Sequence, residues 1–317
     1  MTETLLQALL PIFLIIALGV LAGSSGRIDN KQVAPLNTLV MDFALPAAMF
    51  SAVARTTRHE LAAQWSLLVV LTASLLGLWI AIYALQRLVF KLRPGISAVL
   101  AISVALPNFA AAGLPLLNAV FGQAGRIQVS LAIAIGAIVL SPLTLILLDL
   151  DRGRRDGRTG AASGAIAAAA RRVALSPLVI APCLGVLLVL VGVTLPAPLA
   201  RTFALLGDAS GGVALLLTGL VLSRHRPSLT AKVLAAVVAA NILRPLLAAG
   251  LSTLLPIGAQ IEHATILLDA LPAGFFGIFF ALRYGEDIGE AASIVAISTV
   301  ASVITLGATM VLTGGMG

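Results

Sequence analysis

Charged side chains are scarce in this chain: 20 Lys and Arg and 13 Asp and Glu make up only 10% of 317 residues. A soluble globular domain carries roughly 25%, so a water-facing surface cannot be built from this set. The single cysteine, Cys183, rules out an internal disulfide, and with three histidines no zinc-type Cys/His spacing occurs. Two Tyr, two Trp and no sustained basic-aromatic stretch exclude base stacking, so the net charge of +7 is not read as a nucleic-acid footprint. Catalytic patterns are missing as well. His59-Glu60 has no second His four residues on, and neither a Gly-x-Ser-x-Gly elbow nor a Walker phosphate loop is found. No enzyme, no cofactor and no nucleotide-driven pump is expected.

What is present is apolar: 60% hydrophobic residues and a mean hydropathy of +1.09. A hydrocarbon core about 30 Å thick needs roughly 20 apolar residues per helix. Ten stretches meet that need, near 4–23, 32–53, 65–89, 95–119, 127–148, 173–193, 199–222, 230–254, 261–282 and 288–313. No Lys or Arg precedes the first, so it reads as a retained helix rather than a signal peptide. The expectation is an all-α polytopic membrane protein. Its longest polar connection, the Arg-rich segment 150–172, reads as a flexible basic linker between 1–149 and 173–317.

With the N-terminus outside, 15 basic residues fall in inner loops and four, Arg55, Arg58, Arg126 and Arg201, in outer ones. The positive-inside rule therefore places both termini outside. The halves repeat: Pro11 and Pro177, Gly19 and Gly185, and Asp42 and Asp208 are each 166 apart, and Ala105-Leu-Pro107 recurs as Ala270-Leu-Pro272. Five spans per unit make the second unit inverted, which is a transporter architecture.

The fourth and ninth spans carry the interruptions. In Ala105-Leu-Pro-Asn-Phe-Ala-Ala-Ala-Gly-Leu-Pro115, Pro107 and Pro115 each remove a backbone donor and Gly113 loosens the turn between them. In Asp269-Ala-Leu-Pro-Ala-Gly-Phe-Phe-Gly277 the break falls at Pro272 and Gly274. Matched broken helices point to a substrate site, and their N-terminal ends suit a carboxylate. Asn108 offers an amide, with Ala273 as its counterpart in the second repeat. Arg244, deep in the eighth span, could grip a carboxylate or pair with an acid such as Asp42, and Asn241 shares its helical face. Asp42 is a candidate proton-carrying coupling residue or else a paired structural carboxylate, with Asp208 as its repeat mate. Ser298, Thr299, Ser302 and Thr305 form a polar face of the last span, or bond back to their own helix.

At Met41-Asp-Phe-Ala-Leu-Pro46, Ala105-Leu-Pro-Asn-Phe-Ala-Ala111 and Ala273-Gly-Phe-Phe-Gly-Ile278 the chain resembles the auxin efflux carrier family, and within it the bacterial malonate carriers. The resemblance runs nearly end to end. It implies ten transmembrane helices as two inverted five-helix repeats, with spans 1, 2, 6 and 7 as scaffold. The other six would form a mobile transport domain in which helices 4 and 9 cross, moving as an elevator. Pro107, Asn108 and Pro272 match the crossing, and Asp42 falls at a polar support position. Plant members have Asn-Pro-Asn at both crossings; Leu-Pro-Asn and Leu-Pro-Ala stand here, which favours a small dicarboxylate over auxin. The resemblance thus implies a carrier of malonate or a similar carboxylate in the bacterial inner membrane, coupled to protons or sodium. A scaffold-mediated homodimer in the bilayer goes with it. The alternatives are export of an aromatic, auxin-like monocarboxylate, and a carboxylate sensor that does not transport.

Overall fold

A computed structural model describes residues 2–29, 33–157, 162–225 and 227–314. Lys31, Arg158 and Arg226, which entered the basic-residue count, lie outside the described residues. The regular elements among the described residues are all helices, with no strand among them. The helices are α1 (Thr2–Ser24), α2 (Val33–Leu39), α3 (Leu45–Ala54), α4 (Arg58–Ala63), α5 (Trp65–Leu88), α6 (Pro94–Ala105), α7 (Leu114–Phe121), α8 (Gln123–Ile135) and α9 (Ser141–Arg155). They continue with α10 (Ala162–Ala174), α11 (Pro177–Val191), α12 (Ala197–Arg224), α13 (Ala231–Val238), α14 (Arg244–Ser252), α15 (Ala259–Ala270), α16 (Phe276–Tyr284) and α17 (Gly289–Gly314). All ten predicted stretches are helical, the fourth and ninth with a break. Among the described residues six continuous helical runs are long and apolar enough to cross a membrane, seven if α10 and α11, bent by 65°, count as one.

Proline spacing explains the joints. Four π-helical turns, Val40–Ala44, Phe109–Gly113, Gly136–Leu140 and Ala239–Leu243, each lead directly into an α-helix whose second residue is proline: Pro46, Pro115, Pro142 and Pro245. Proline has no N–H and crowds the preceding turn, and a one-residue widening absorbs both faults without ending the helix. At Gly136 the carbonyl accepts from the Ser141 N–H and also from the Ser141 hydroxyl at 2.8 Å. Pro115 is therefore carried inside a continuous run, contrary to its reading as a break. In the fourth and ninth stretches the helix is interrupted at 106–108 and 271–275, beginning where Leu106 and Leu271 turn extended. The linker also differs from expectation: α9 runs on to Arg155, and an Ala-rich helix, α10, fills Ala162–Ala174. Alanine is the best helix former, and Arg172 pairs with Asp149 to dock it.

Two groups of helices pack side by side. In the first, α1 lies along α12, α11 along α3, and α12 along α3. The second is built from α5 on α6, α6 on α9, α14 on α15 and α15 on α17. Glycines set the close approaches in the first group. A Cβ on Gly19 would overlap the Leu216 carbonyl and Gly219, and one on Gly185 would press on the Phe50 carbonyl and Val53. Gly19 and Gly185, Phe50 and Leu216, and Val53 and Gly219 are all 166 residues apart, so the same contact is made twice with the halves exchanged. The outer faces are apolar: Leu10, Leu14, Leu18 and Leu21 form an exposed stripe on α1, and Leu184, Leu187 and Leu190 another on α11. Such stripes on a molecule with so little charge are lipid-facing surface.

Substituting Val for Gly219 should separate α1 from α12 and lower the thermal midpoint in detergent by several degrees. Ala at Gly77, which nothing approaches within 4 Å, should be neutral or stabilising by about 0.5–1 kcal/mol from helix propensity. Equal midpoints for the two variants would contradict the packing described.

Candidate functional site

The two interrupted helices cross at their breaks. Pro107 and Ala273 face each other as an isolated antiparallel bridge. The Asn108 N–H donates to the Pro272 carbonyl and the Gly274 N–H to the Leu106 carbonyl, both at 2.9 Å. These bonds exchange under the same shift of 166 residues. The counterpart of Asn108 is thus Gly274, not Ala273; the matching Ala-Leu-Pro triplets had set the alignment one residue short. A Cβ at Gly274 would lie 2.7 Å from the Leu106 carbonyl oxygen, so only glycine permits this approach.

Arg244 completes the crossing. It is fully buried, and its guanidinium donates to the carbonyls of Val104 at 2.7 Å, Asp269 at 2.8 Å and Leu271. Val104 lies in the last turn of α6, and Asp269 and Leu271 lie at the end of α15. These are the carbonyls that a helix end leaves without partners, and they carry its partial negative charge. Neither a ligand nor Asp42 is what Arg244 meets, and the acid that bears on it is Asp269. Its donors are turned to backbone rather than to an open site, and Asp42 pairs elsewhere.

Further hydrogen bonds tie the crossing to α13–α14 and α17. The Ala273 N–H donates to Ser298 Oγ at 2.8 Å, and the Ser298 hydroxyl donates to Asn241 Oδ1 at 2.5 Å. The Asn241 amide donates on to the Ser298 carbonyl and Thr305 Oγ1. Asn241 thus positions the break from behind instead of meeting a ligand. Thr299, Ser302 and Thr305 bond back to their own helix, the plainer of the two readings given for them.

On the other side of the crossing lies open space. A chamber of about 30 Å³, room for roughly one or two waters, is bounded by Pro107, Asn108, Gly274, Phe275 and Phe276, and by Leu45 and Met49 of α3. The Asn108 Oδ1 caps the turn that follows by accepting from the Ala111 N–H at 3.2 Å, and its amide nitrogen has no partner among the described residues. Ala48, Ala110 and Ile133 are shared with a larger open cavity of about 370 Å³. One wall of that cavity is α3 and α12 of the first group, and the other is the start of α7 and α8, a pair that packs on α3, α5 and α15. Arg55 and Arg126 line it, as do Glu60 and Asp208.

Asp208 accordingly faces the cavity, whereas its repeat mate Asp42 does not border either space and is paired with Arg283 at 2.7 Å. Gly113 packs against Leu271 below the crossing. Pro107, Asn108 and Gly274 are the expected residues that meet at the chamber; Pro272 and Ala273 belong to the backbone crossing and do not line it.

Residues 4–310 match the family described as Membrane transport protein. The chain belongs to this family, that of the auxin efflux carriers. It is 30% identical over 304 residues, 94% of each chain, to the uncharacterized transporter YfdV of Escherichia coli K12, and equally to that of Shigella flexneri. An uncharacterized transporter of the archaeon Methanothermobacter thermautotrophicus is 25% identical over 311 residues, 96% of each chain. The family makes this a membrane transport protein with several helices in the bilayer. The sequence analysis missed Asp269, a fully buried carboxylate three residues before Pro272, whose Oδ2 accepts from Ser74 at 2.5 Å. An acid inside an apolar run was the available signal. It also gave Arg55 and Arg126 a topological meaning only.

Replacing Arg244 with Gln should destabilise the protein by about 3 kcal/mol or more, because carbonyls are left unpaired in a dry interior, read as a lower thermal midpoint. Where transport survives, mono- and dianions should lose equally. A loss confined to dianions would mean direct contact with substrate.

Proposed function

We propose that this protein is a secondary carrier of a small carboxylate, malonate or one like it, in the inner membrane of its cell. The observation that carries the reading is the crossing of two broken helices beside a cavity walled by α3, α12, α7 and α8. Exposed backbone at membrane depth is tolerated only where protein or a ligand meets it, and here one side is sealed by Arg244 and the other opens on Asn108. The turn that begins at Phe109 presents its N-terminal end to the chamber, which favours an anion. Arg55, without an ion pair among the described residues, and Arg126 supply positive charge along the way in.

The paired contacts of Gly19 and Gly185, and the reciprocal bonds of Asn108 and Gly274, support ten spans in two inverted five-helix repeats. The grouping supports α1, α2–α3, α11 and α12 as scaffold and the remaining spans as the moving body. That body is braced at one end by Arg93 and Arg155, which pair with Asp151 and Glu286 and so join α6, α9 and the end of α16. Rigid displacement of the crossing past the scaffold is the elevator movement this reading requires. Among the coupling candidates, Asp208 borders the cavity and Asp42 does not.

A second reading has its own support. Phe275, Phe276 and Met49 make the chamber apolar apart from Asn108, which suits an aromatic monocarboxylate. Labelled malonate uptake into proteoliposomes, with phenylacetate as competitor, separates the two. Accumulation that phenylacetate leaves intact is expected, and strong competition would favour the aromatic substrate. No accumulation of either would contradict the carrier reading. Gln at Arg55 and Arg126 together should raise KM about tenfold at low salt and less at high salt.

A further inference from the structure

We infer that Asp269 is the proton-binding residue of this carrier, and that Arg244 stands in the place a metal cation would otherwise occupy at the crossing. The inference rests on the carrier reading above and assigns its coupling ion. Asp269 has no solvent exposure. Among the described residues its Oδ2 has one partner, Ser74, and its Oδ1 accepts no hydrogen bond. A buried ionised carboxylate so poorly served is costly, whereas a proton on Oδ1 removes the charge. The Ser74 hydroxyl also lies 3.1 Å from the Leu71 carbonyl, so its single hydrogen can serve the carboxylate or turn to the carbonyl.

A sodium ion would need a shell of oxygens, and three of the carbonyls bared at this crossing are those of Val104, Asp269 and Leu271. All three already accept from the Arg244 guanidinium. The cation at the crossing is therefore covalently part of the chain, and the exchangeable positive charge is a proton.

The charges around Asp269 make this productive. Its helix, α15, is packed against α5, α8, α14 with the π-turn before it, and α17. Among the described residues Arg244 is the charged group that bears on it, and α5 contributes the neutral Ser74. Arg126 of α8 faces the cavity, while Glu262 and His263 lie at the far end of α15 itself. With Asp269 ionised, its charge and that of Arg244 cancel. With Asp269 protonated, the crossing carries one net positive charge, held at the Val104, Asp269 and Leu271 carbonyls, and a carboxylate in the chamber restores neutrality. Proton and anion then favour each other's binding by the same factor, as linkage requires. They travel together as a pair.

The test uses the purified full-length protein and labelled malonate, with affinity measured across pH. Wild-type affinity should weaken by up to about tenfold per pH unit above the transition, the limit for one linked proton. Asp269→Asn, which mimics the protonated group, should bind with a flat profile near the wild-type value at low pH, exchange malonate between the two sides, and fail to accumulate it on a proton gradient. Asp269→Glu should restore the slope, with a shifted midpoint. A wild-type slope in Asp269→Asn, or accumulation driven by sodium, would overturn the inference. Infrared difference spectra on a pH step without substrate provide an independent arm. A protonated carboxyl C=O band should be present in the wild type and in Asp42→Asn and Asp208→Asn, and absent in Asp269→Asn; its persistence there would overturn the assignment. If the wild type binds no malonate, the substrate reading falls, and the infrared arm still decides for Asp269.

Discussion

A peptide backbone interrupted inside an apolar interior must find partners for every N–H and C=O it releases, and the architecture of this protein follows from that requirement. Two helices break at the same level. Each break supplies the other with one backbone hydrogen bond, and Arg244 closes three of the remaining carbonyls from behind. Asn241 and Ser298 hold the Ala273 N–H. What these partners leave open is a single face, that of Asn108 and Gly274, and it is the face that meets the cavity.

The rest of the chain is arranged to keep that face at a boundary. Glycines let α1, α3, α11 and α12 pack backbone against backbone, giving a wall with lipid-facing leucines behind it. The crossing belongs to the other group, joined by α5, α14 and α17 and braced by the Arg93–Asp151–Arg155–Glu286 cluster. Apolar surface on the outside, buried charge at the centre and a cavity beside the crossing are the parts on which the proposed carriage of an anion rests.

The helical class, the ten apolar stretches and the two breaks were legible in the sequence because apolar run length and proline position express backbone constraints directly. Pro115 was misread because a π-turn and a chain break leave the same trace in sequence, a proline in an apolar run. The one-residue shift between Ala273 and Gly274 as the mate of Asn108 arose because identical triplets outweighed the bridge geometry, which no spacing encodes. Arg244 was seen to need partners, but carbonyls from two distant segments are invisible to side-chain pairing rules. Asp269 was passed over for Asp42 and Asp208, whose repeat spacing drew attention to residues that lie nearer solvent.

The central claim is that the crossing moves as a body against the α1, α3, α11 and α12 wall while substrate occupies it. Its most direct measurement is the distance between spin labels across the cavity, at cysteines replacing Ile127 on α8 and Leu205 on α12, with Cys183 changed to Ser. A second pair, at Leu14 on α1 and Leu187 on α11, serves as reference within the wall. Adding malonate at low pH should populate a second distance for the first pair and leave the reference pair unchanged. A single, unaltered distance across the cavity would contradict the account.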